Sequence, residues 1–115
     1  MKGPDKMGNE QLVILIPAYN EEPRIGSVLN VVCQYERKKR VIVIDDGSED
    51  DTEKIAQQFP VEVLRHPKNR GKGAALQTGI NHAGETPCWL FLDADLINLN
   101  HQHMEALLEP INNNQ

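Results

Sequence analysis

With 115 residues, 39% of them hydrophobic and 25% charged, the chain is long enough for one small domain with its own core. A formal net charge of -5 argues against a nucleic-acid partner. Cys33 and Cys88 stand in no ligand-like spacing and read as core thiols of a reducing cytosol, and no stretch approaches the roughly 18 apolar residues of a membrane span.

Positions 1–11 are polar, with two glycines and a proline but no apolar run of the signal-peptide kind, and read as a disordered tail. Leu12-Val13-Ile14-Leu15-Ile16 is a continuous apolar run, a first buried strand that Pro17, lacking an N–H, should stop. Tyr19-Asn20-Glu21-Glu22-Pro23 reads as a polar loop. Ile25, Val28, Leu29 and Val32 then recur at helical spacing. The run Glu36-Arg37-Lys38-Lys39-Arg40 follows, its basic groups favoured at a helix C-terminus; a patch for anionic headgroups is the alternative.

Val41-Ile42-Val43-Ile44 is a second buried strand ending in Asp45-Asp46-Gly47-Ser48. Glu49, Asp50, Asp51 and Glu53 suit a helix N-terminus, with Ser48 or Asp50 as cap and Ile55, Ala56 and Phe59 facing inward before Pro60. Val61-Glu62-Val63-Leu64 is a shorter strand whose alternation suggests a place near the sheet edge. His66 to Gly73 is a basic, glycine-bearing loop opening a helix with Leu76, Ile80 and Ala83 on one face, ended by Gly84 and Pro87. Met104, Leu107, Leu108 and Ile111 mark a last helix, and 112–115 reads as a frayed end.

Between these helices lies Trp89-Leu90-Phe91-Leu92-Asp93-Ala94-Asp95. The apolar run has no alternation and reads as a fourth strand, Trp89 to Asp93, buried on both faces. Asp93 and Asp95, two apart on extended chain, point the same way and repel unless a cation lies between them. A divalent ion held by one or two carboxylates, with phosphate oxygens completing its shell, is the usual Mg2+ arrangement. The structural alternative is that Asp93 ends the strand and Asp95 caps the next helix.

Four strand–helix units in sequence predict an α/β fold: a Rossmann-like parallel sheet with helices on both faces and right-handed crossovers. Such a sheet delivers every strand's C-terminal end to one edge, where ligands bind at the switch of strand order. Pro17-Ala18-Tyr19, Asp45-Asp46, the loop with Lys72, and Asp93-Ala94-Asp95 all arrive there. Tyr19 would cover a base, Asp46 accept a base N–H, Asp93 reach ribose hydroxyls, Asp95 hold the metal, and Lys72 neutralise phosphate or pair with Asp46. Each also has a structural alternative as edge cover, turn cap or solvated first-turn residue. Gly71-Lys72-Gly73 fits neither the dinucleotide fingerprint nor the Walker pattern. His101 and His103 are not at helical ligand spacing, and His66 and His82 carry no signal.

Four blocks, Ile16-Pro17-Ala18-Tyr19-Asn20-Glu21-Glu22, Val43-Ile44-Asp45-Asp46-Gly47-Ser48, Asn69-Arg70-Gly71-Lys72-Gly73-Ala74-Ala75-Leu76 and Leu92-Asp93-Ala94-Asp95, resemble the signature blocks of family 2 glycosyltransferases of the GT-A fold. They occur in order and cover the chain from about Leu12 to Asn100. The third and fourth look most like the branch holding dolichyl-phosphate mannose synthases and glucosyl-3-phosphoglycerate synthases. The resemblance implies that 12–111 is the donor-binding half of an inverting hexosyltransferase using a UDP- or GDP-linked sugar. It implies that Pro17, Ala18, Tyr19 and Glu21 line the nucleoside pocket. Asp46 would hold the base with Asp45 supporting it, and Gly71 and Lys72 would lie beside base and ribose. Asp93 and Asp95 would be the DXD pair, Asp95 the direct ligand of Mn2+ or Mg2+.

The family's catalytic base lies in a later half, and no unassigned candidate for it is found before Gln115. The expectation is a truncated transferase that binds nucleotide weakly, transfers little by itself, and leaves an uncovered sheet edge. A non-catalytic nucleotide-sugar-binding module is the alternative, and a sugar-phosphate nucleotidyltransferase ranks below it. The acceptor stays open between a lipid phosphate and a small phosphorylated acid, and oligomeric state stays open too. The expected location is the cytoplasm, with membrane association carried by family parts outside this stretch.

Overall fold

The computed structural model describes residues 12–85, 88–96 and 99–112, and its centre is β1, Leu12–Ala18, buried along its whole length. The expected tail over 1–11, Pro87, the side chain of Ile111 and positions 113–115 lie outside the described residues. The remaining elements follow as α1 (Glu22–Gln34), β2 (Lys39–Asp45), α2 (Thr52–Ala56), β3 (Glu62–Arg65), α3 (Lys72–Ala83), β4 (Cys88–Phe91) and α4 (His101–Asn112). The four strands form one parallel sheet in the order β3-β2-β1-β4, as the α/β reading requires. The chain steps from β1 outward to β2 and β3, then returns past β1 to add β4 on the other side. The switch of strand order therefore falls between β1 and β4.

Alternate residues of each strand face opposite sides of the sheet. Leu12, Ile14, Ile16, Val41 and Val43 pack with Ile25, Val28, Leu29 and Val32 of α1, Ala56 of α2, and Met104 and Leu108 of α4. Val13, Leu15, Ile42 and Ile44 face α3 through Ala75 and Ala83, with Leu76 and Ile80 partly buried beside them. The buried face of α1 is the one its spacing predicts. On α3 the innermost positions are Ala75, Gly79 and Ala83, because small residues let the helix lie close on the sheet. A Cβ at Gly79 would stand 2.8 Å from Ile44 Cδ1.

Several boundaries differ from the sequence expectation, each for a local reason. β1 does not stop at Pro17, which pairs in register with Ile44. The Leu15 carbonyl accepts from Leu92 on the β4 side and the Ala18 carbonyl accepts from Asp46 on the β2 side. By alternation the Pro17 nitrogen faces β4, which has left the sheet at Phe91, so no ladder bond is lost there. Pro23 lies in the first turn of α1 rather than in the preceding loop, a place where its missing N–H and fixed φ suit the helix. Lys39 and Arg40 belong to β2. Lys39 Nζ donates to the Tyr35 carbonyl at the end of α1 (2.7 Å), and Arg40 forks onto Glu62 (2.9 and 2.7 Å). Those two charges are committed to the chain itself rather than to a free basic patch.

β3 is an edge strand, as its alternation suggests. β4 is the other edge among the described strands, and the expectation of burial on both faces is corrected. It runs Cys88–Phe91, its first three residues are half-buried, and Phe91 is 52% exposed, because only β1 flanks it. Leu107 on α4 is likewise exposed. Cys33 and Cys88 are free and only half-buried, so neither is a full core residue; burial pushes the Cys33 thiol up against the pull of Lys39. Among the described residues no helix is long and apolar enough to cross a membrane.

Candidate functional site

Three loops at the C-terminal edge are fastened to one another by backbone and side-chain bonds. Asn20, at φ 53°, takes the left-handed conformation that asparagine tolerates better than most residues. Its N–H donates to Ser48 Oγ (2.8 Å) and its side-chain oxygen accepts from Glu49 N–H (2.8 Å). The Glu21 N–H donates to Thr52 Oγ1 (2.9 Å), and Glu22 accepts from Asp51 N–H (3.1 Å). Ser48 therefore holds the first loop rather than capping α2, while Asp50 accepts from the Thr52 N–H at 3.0 Å. The third loop, 66–71, lies directly on the second at Gly47.

Asp46 is the staple of this arrangement. It is 3% exposed. Its Oδ1 accepts from the Arg70 N–H (2.9 Å) and meets His66 Nδ1 at 2.7 Å. Its Oδ2 accepts from the Gly71 N–H (2.7 Å) and from Asn69 Nδ2 (3.0 Å). Burial works against the charge, but the bonds from His66, Arg70 and Gly71 outweigh it and hold the carboxyl below the usual carboxylate range. All four acceptor positions of the carboxylate are taken by its own chain, so a base N–H would have to share or displace one of them. Asp45 stands behind, wholly buried, bonded to Arg65 and to the Ser48 N–H (3.0 Å).

In front of these loops opens a cleft of about 310 Å³. Pro17, Ala18, Tyr19, Glu21, Asp46, Gly71, Lys72, Asp93 and Asp95 line it, so every sequence-predicted site residue except Asp45 meets in one place. It lies over the switch of strand order, where β1 and β4 part. Tyr19 is 43% exposed. Asp93 and Asp95 are exposed too, with Ala94 buried in the core between them; the chain turns at Ala94 and Asp95 once β4 has ended at Phe91, so the expected extended backbone does not hold there.

Lys72 does not pair with Asp46. Its Nζ lies 2.7 Å from Asp93 Oδ1, and that hydrogen bond and charge, with Asp95 beyond, raise the Lys72 pKa above its ordinary value. Lys72 is the first residue of α3, and Gly71, at φ 103°, turns the chain into that helix. Two exposed carboxylates offer a hard cation the oxygen donors it prefers, and an ion with phosphate or water oxygens on its other sides fits such a pair. Among the described residues no group of three or more potential ligands gathers. His101 and His103 take other roles: His101 packs against Tyr35 with ring centroids 5.0 Å apart, and His103 exchanges two hydrogen bonds with Asn100 at the start of α4.

Sequence reasoning missed His66 and Thr78. His66 is 5% exposed, with Nε2 2.8 Å from Thr78 Oγ1. A signal was present, since His66 immediately follows β3 and so stands at the same edge as the acidic strand ends.

The sequence model of glycosyl transferase family 2 matches residues 13–115. An uncharacterized protein of Methanocaldococcus jannaschii is 42% identical over 79 residues, 69% of this chain and 32% of that protein. Human dolichyl-phosphate beta-glucosyltransferase is 39% identical over 87 residues, 62% of this chain and 27% of that protein. The chain thus spans under a third of the length of these curated relatives. The crystal structure of glucosyl-3-phosphoglycerate synthase from Mycobacterium tuberculosis, in complex with Mn2+, uridine-diphosphate and glucosyl-3-phosphoglycerate, is similar with a TM-score of 0.74 and 26% identity, covering 98% of this chain and 46% of that one.

Proposed function

The chain belongs to glycosyl transferase family 2, and on that premise we propose that its cleft holds the nucleotide and diphosphate of a UDP- or GDP-linked hexose, the donor of an inverting, metal-dependent transfer. The observation that carries this reading is the meeting of Asp93, Asp95, Lys72 and Tyr19 around one cleft at the switch of strand order. The complex of the similar synthase with Mn2+ and uridine-diphosphate supports a divalent ion, and makes uridine the first base to test.

In this reading the Tyr19 ring covers the base. Asp46 shapes the base pocket through Asn69 and Gly71, and Asp93 meets ribose. Asp95, with Asp93, holds Mn2+ or Mg2+. The ion, when bound, supplies Lewis-acid stabilisation of the charge that develops on the departing diphosphate. Lys72 adds a fixed positive charge at the same rim. The acceptor, a lipid phosphate or a small phosphorylated acid, presents an oxygen that attacks the opposite face of the sugar as the bond from sugar to diphosphate breaks, and a carboxylate base takes any proton that oxygen carries.

Calorimetric titration of the chain with UDP and with GDP, each with and without Mn2+, tests the reading. We expect binding that Mn2+ strengthens by about tenfold or more, and Asp95→Ala to erase that dependence. Binding of unchanged strength without metal would count against it.

A further inference from the structure

We propose that His66 is a positioning residue: its imidazole, carrying a proton on Nδ1, bridges Asp46 and Thr78 and so holds the Asp46 carboxylate where it pins the Arg70 and Gly71 amides. Nothing in the reading of the cleft uses this side chain, yet it is the one buried histidine among the described residues. Its backbone N–H continues the strand register by donating to the Asp45 carbonyl at 2.9 Å, which fixes where the ring starts. From there the ring reaches two different elements. Nδ1 meets Asp46 Oδ1 at the end of β2, and Nε2 meets Thr78 Oγ1 on the second turn of α3.

The chemistry of the partners fixes the proton. An ionised carboxylate only accepts, so the nitrogen facing Asp46 must carry a hydrogen. Nε2 is then free to accept from the threonine hydroxyl. The ring is held at both ends, and with it the carboxylate oxygen it touches. That matters because the same two oxygens receive the Arg70 and Gly71 amides. Those amides set the turn at Gly71, φ 103°, from which α3 and Lys72 start. The imidazole thus acts on the cleft through Asp46, without lining it.

Two substitutions separate the ends of the ring. The amide nitrogen of asparagine reaches about where Nδ1 lies, and that of glutamine about where Nε2 lies. In His66→Gln the Asp46 bond is lost. The Arg70 and Gly71 amides should then exchange with solvent at least about tenfold faster, the worth of one hydrogen bond to a charged group. His66→Asn keeps the Asp46 bond but loses the Thr78 anchor, so both amides should exchange only about threefold faster. Nitrogen-15 spectra of the full chain at pH 8 should show Nδ1 protonated. A ring protonated on Nε2 alone would overturn the proposal. So would equal exchange in the two variants, or acceleration spread evenly over β2 and α3 as a merely structural role requires. Should His66→Gln fail to fold, Thr78→Val removes the far anchor, and the same two amides should exchange about threefold faster; unchanged rates overturn the proposal.

The consequence for nucleotide affinity rests on the donor-site reading. UDP with Mn2+ should bind His66→Gln at least about tenfold more weakly and His66→Asn no more than about threefold more weakly than the unaltered chain. If the unaltered chain binds neither UDP nor GDP, the donor-site reading fails, and the exchange rates still decide the role of His66.

Discussion

A Cβ on Gly47 would stand 2.5 Å from both the Asn69 nitrogen and the Lys68 carbonyl carbon, and the φ of 78° there is one that L side chains rarely adopt. Backbone cannot yield as a side-chain tip can. Gly47→Ala should therefore cost about 3 kcal/mol, read as a lowered urea midpoint at unchanged slope. At this scale the sequence announces residue types well and partners poorly. Asp46, Lys72 and Asp93 are all legible as edge residues, because topology alone carries strand ends to one side. That Lys72 reaches Asp93 rather than Asp46 depends on the path of the 66–71 loop, and that path is set by the four bonds to Asp46. For the same reason His66 was legible only as an edge residue following β3, and its role was not. Its meaning comes from Asp46, twenty positions earlier, and Thr78, on a different element.

Helices and strands were legible wherever burial is one-sided and the pattern repeats. The helical spacing of Ile25, Val28, Leu29 and Val32 alone names the inward face of α1. Patterns failed where the outcome depends on a neighbour. Pro17 continues β1 because β4 is absent beside it, and Phe91 is exposed because nothing described flanks β4 on its outer side. The glycines of α3 make the same contrast within one helix. Gly79 is pressed against the sheet, whereas a Cβ on Gly73 would meet nothing within 4 Å. Gly73→Ala should then stabilise the fold by about 0.5 kcal/mol, by limiting the unfolded chain and favouring the helix. Urea denaturation of this variant beside the unaltered chain measures it.

For the molecule as a whole, acid is the weak side. Burial opposes ionisation of Asp46 and Asp50, yet in both the hydrogen bonds they accept win and draw the folded-state pKa below its unfolded value. The bond from Arg40 does the same for the more exposed Glu62. The unfolded chain therefore binds more protons over that window, and the stabilisation is present above the unfolded pKa and lost as pH falls through the folded one. Urea midpoints should hold between pH 7 and about 5 and fall steeply by about pH 3. A midpoint constant down to pH 3 would contradict the assignment of these bonds.

The order β3-β2-β1-β4 also bears on the sequence of assembly. Leu12 pairs with Lys39, and Ile42 with Glu62, across short crossovers, but Leu12 also pairs with Cys88, across most of the described chain. Closing that long stretch costs the most entropy, and its return is one edge strand of four residues. β4 should join late and detach early, its amides exchanging ahead of those in β1 and β2. Asp93 and Asp95 travel with it, so the acidic rim forms after the sheet of β1, β2 and β3 and is given up before it under stress.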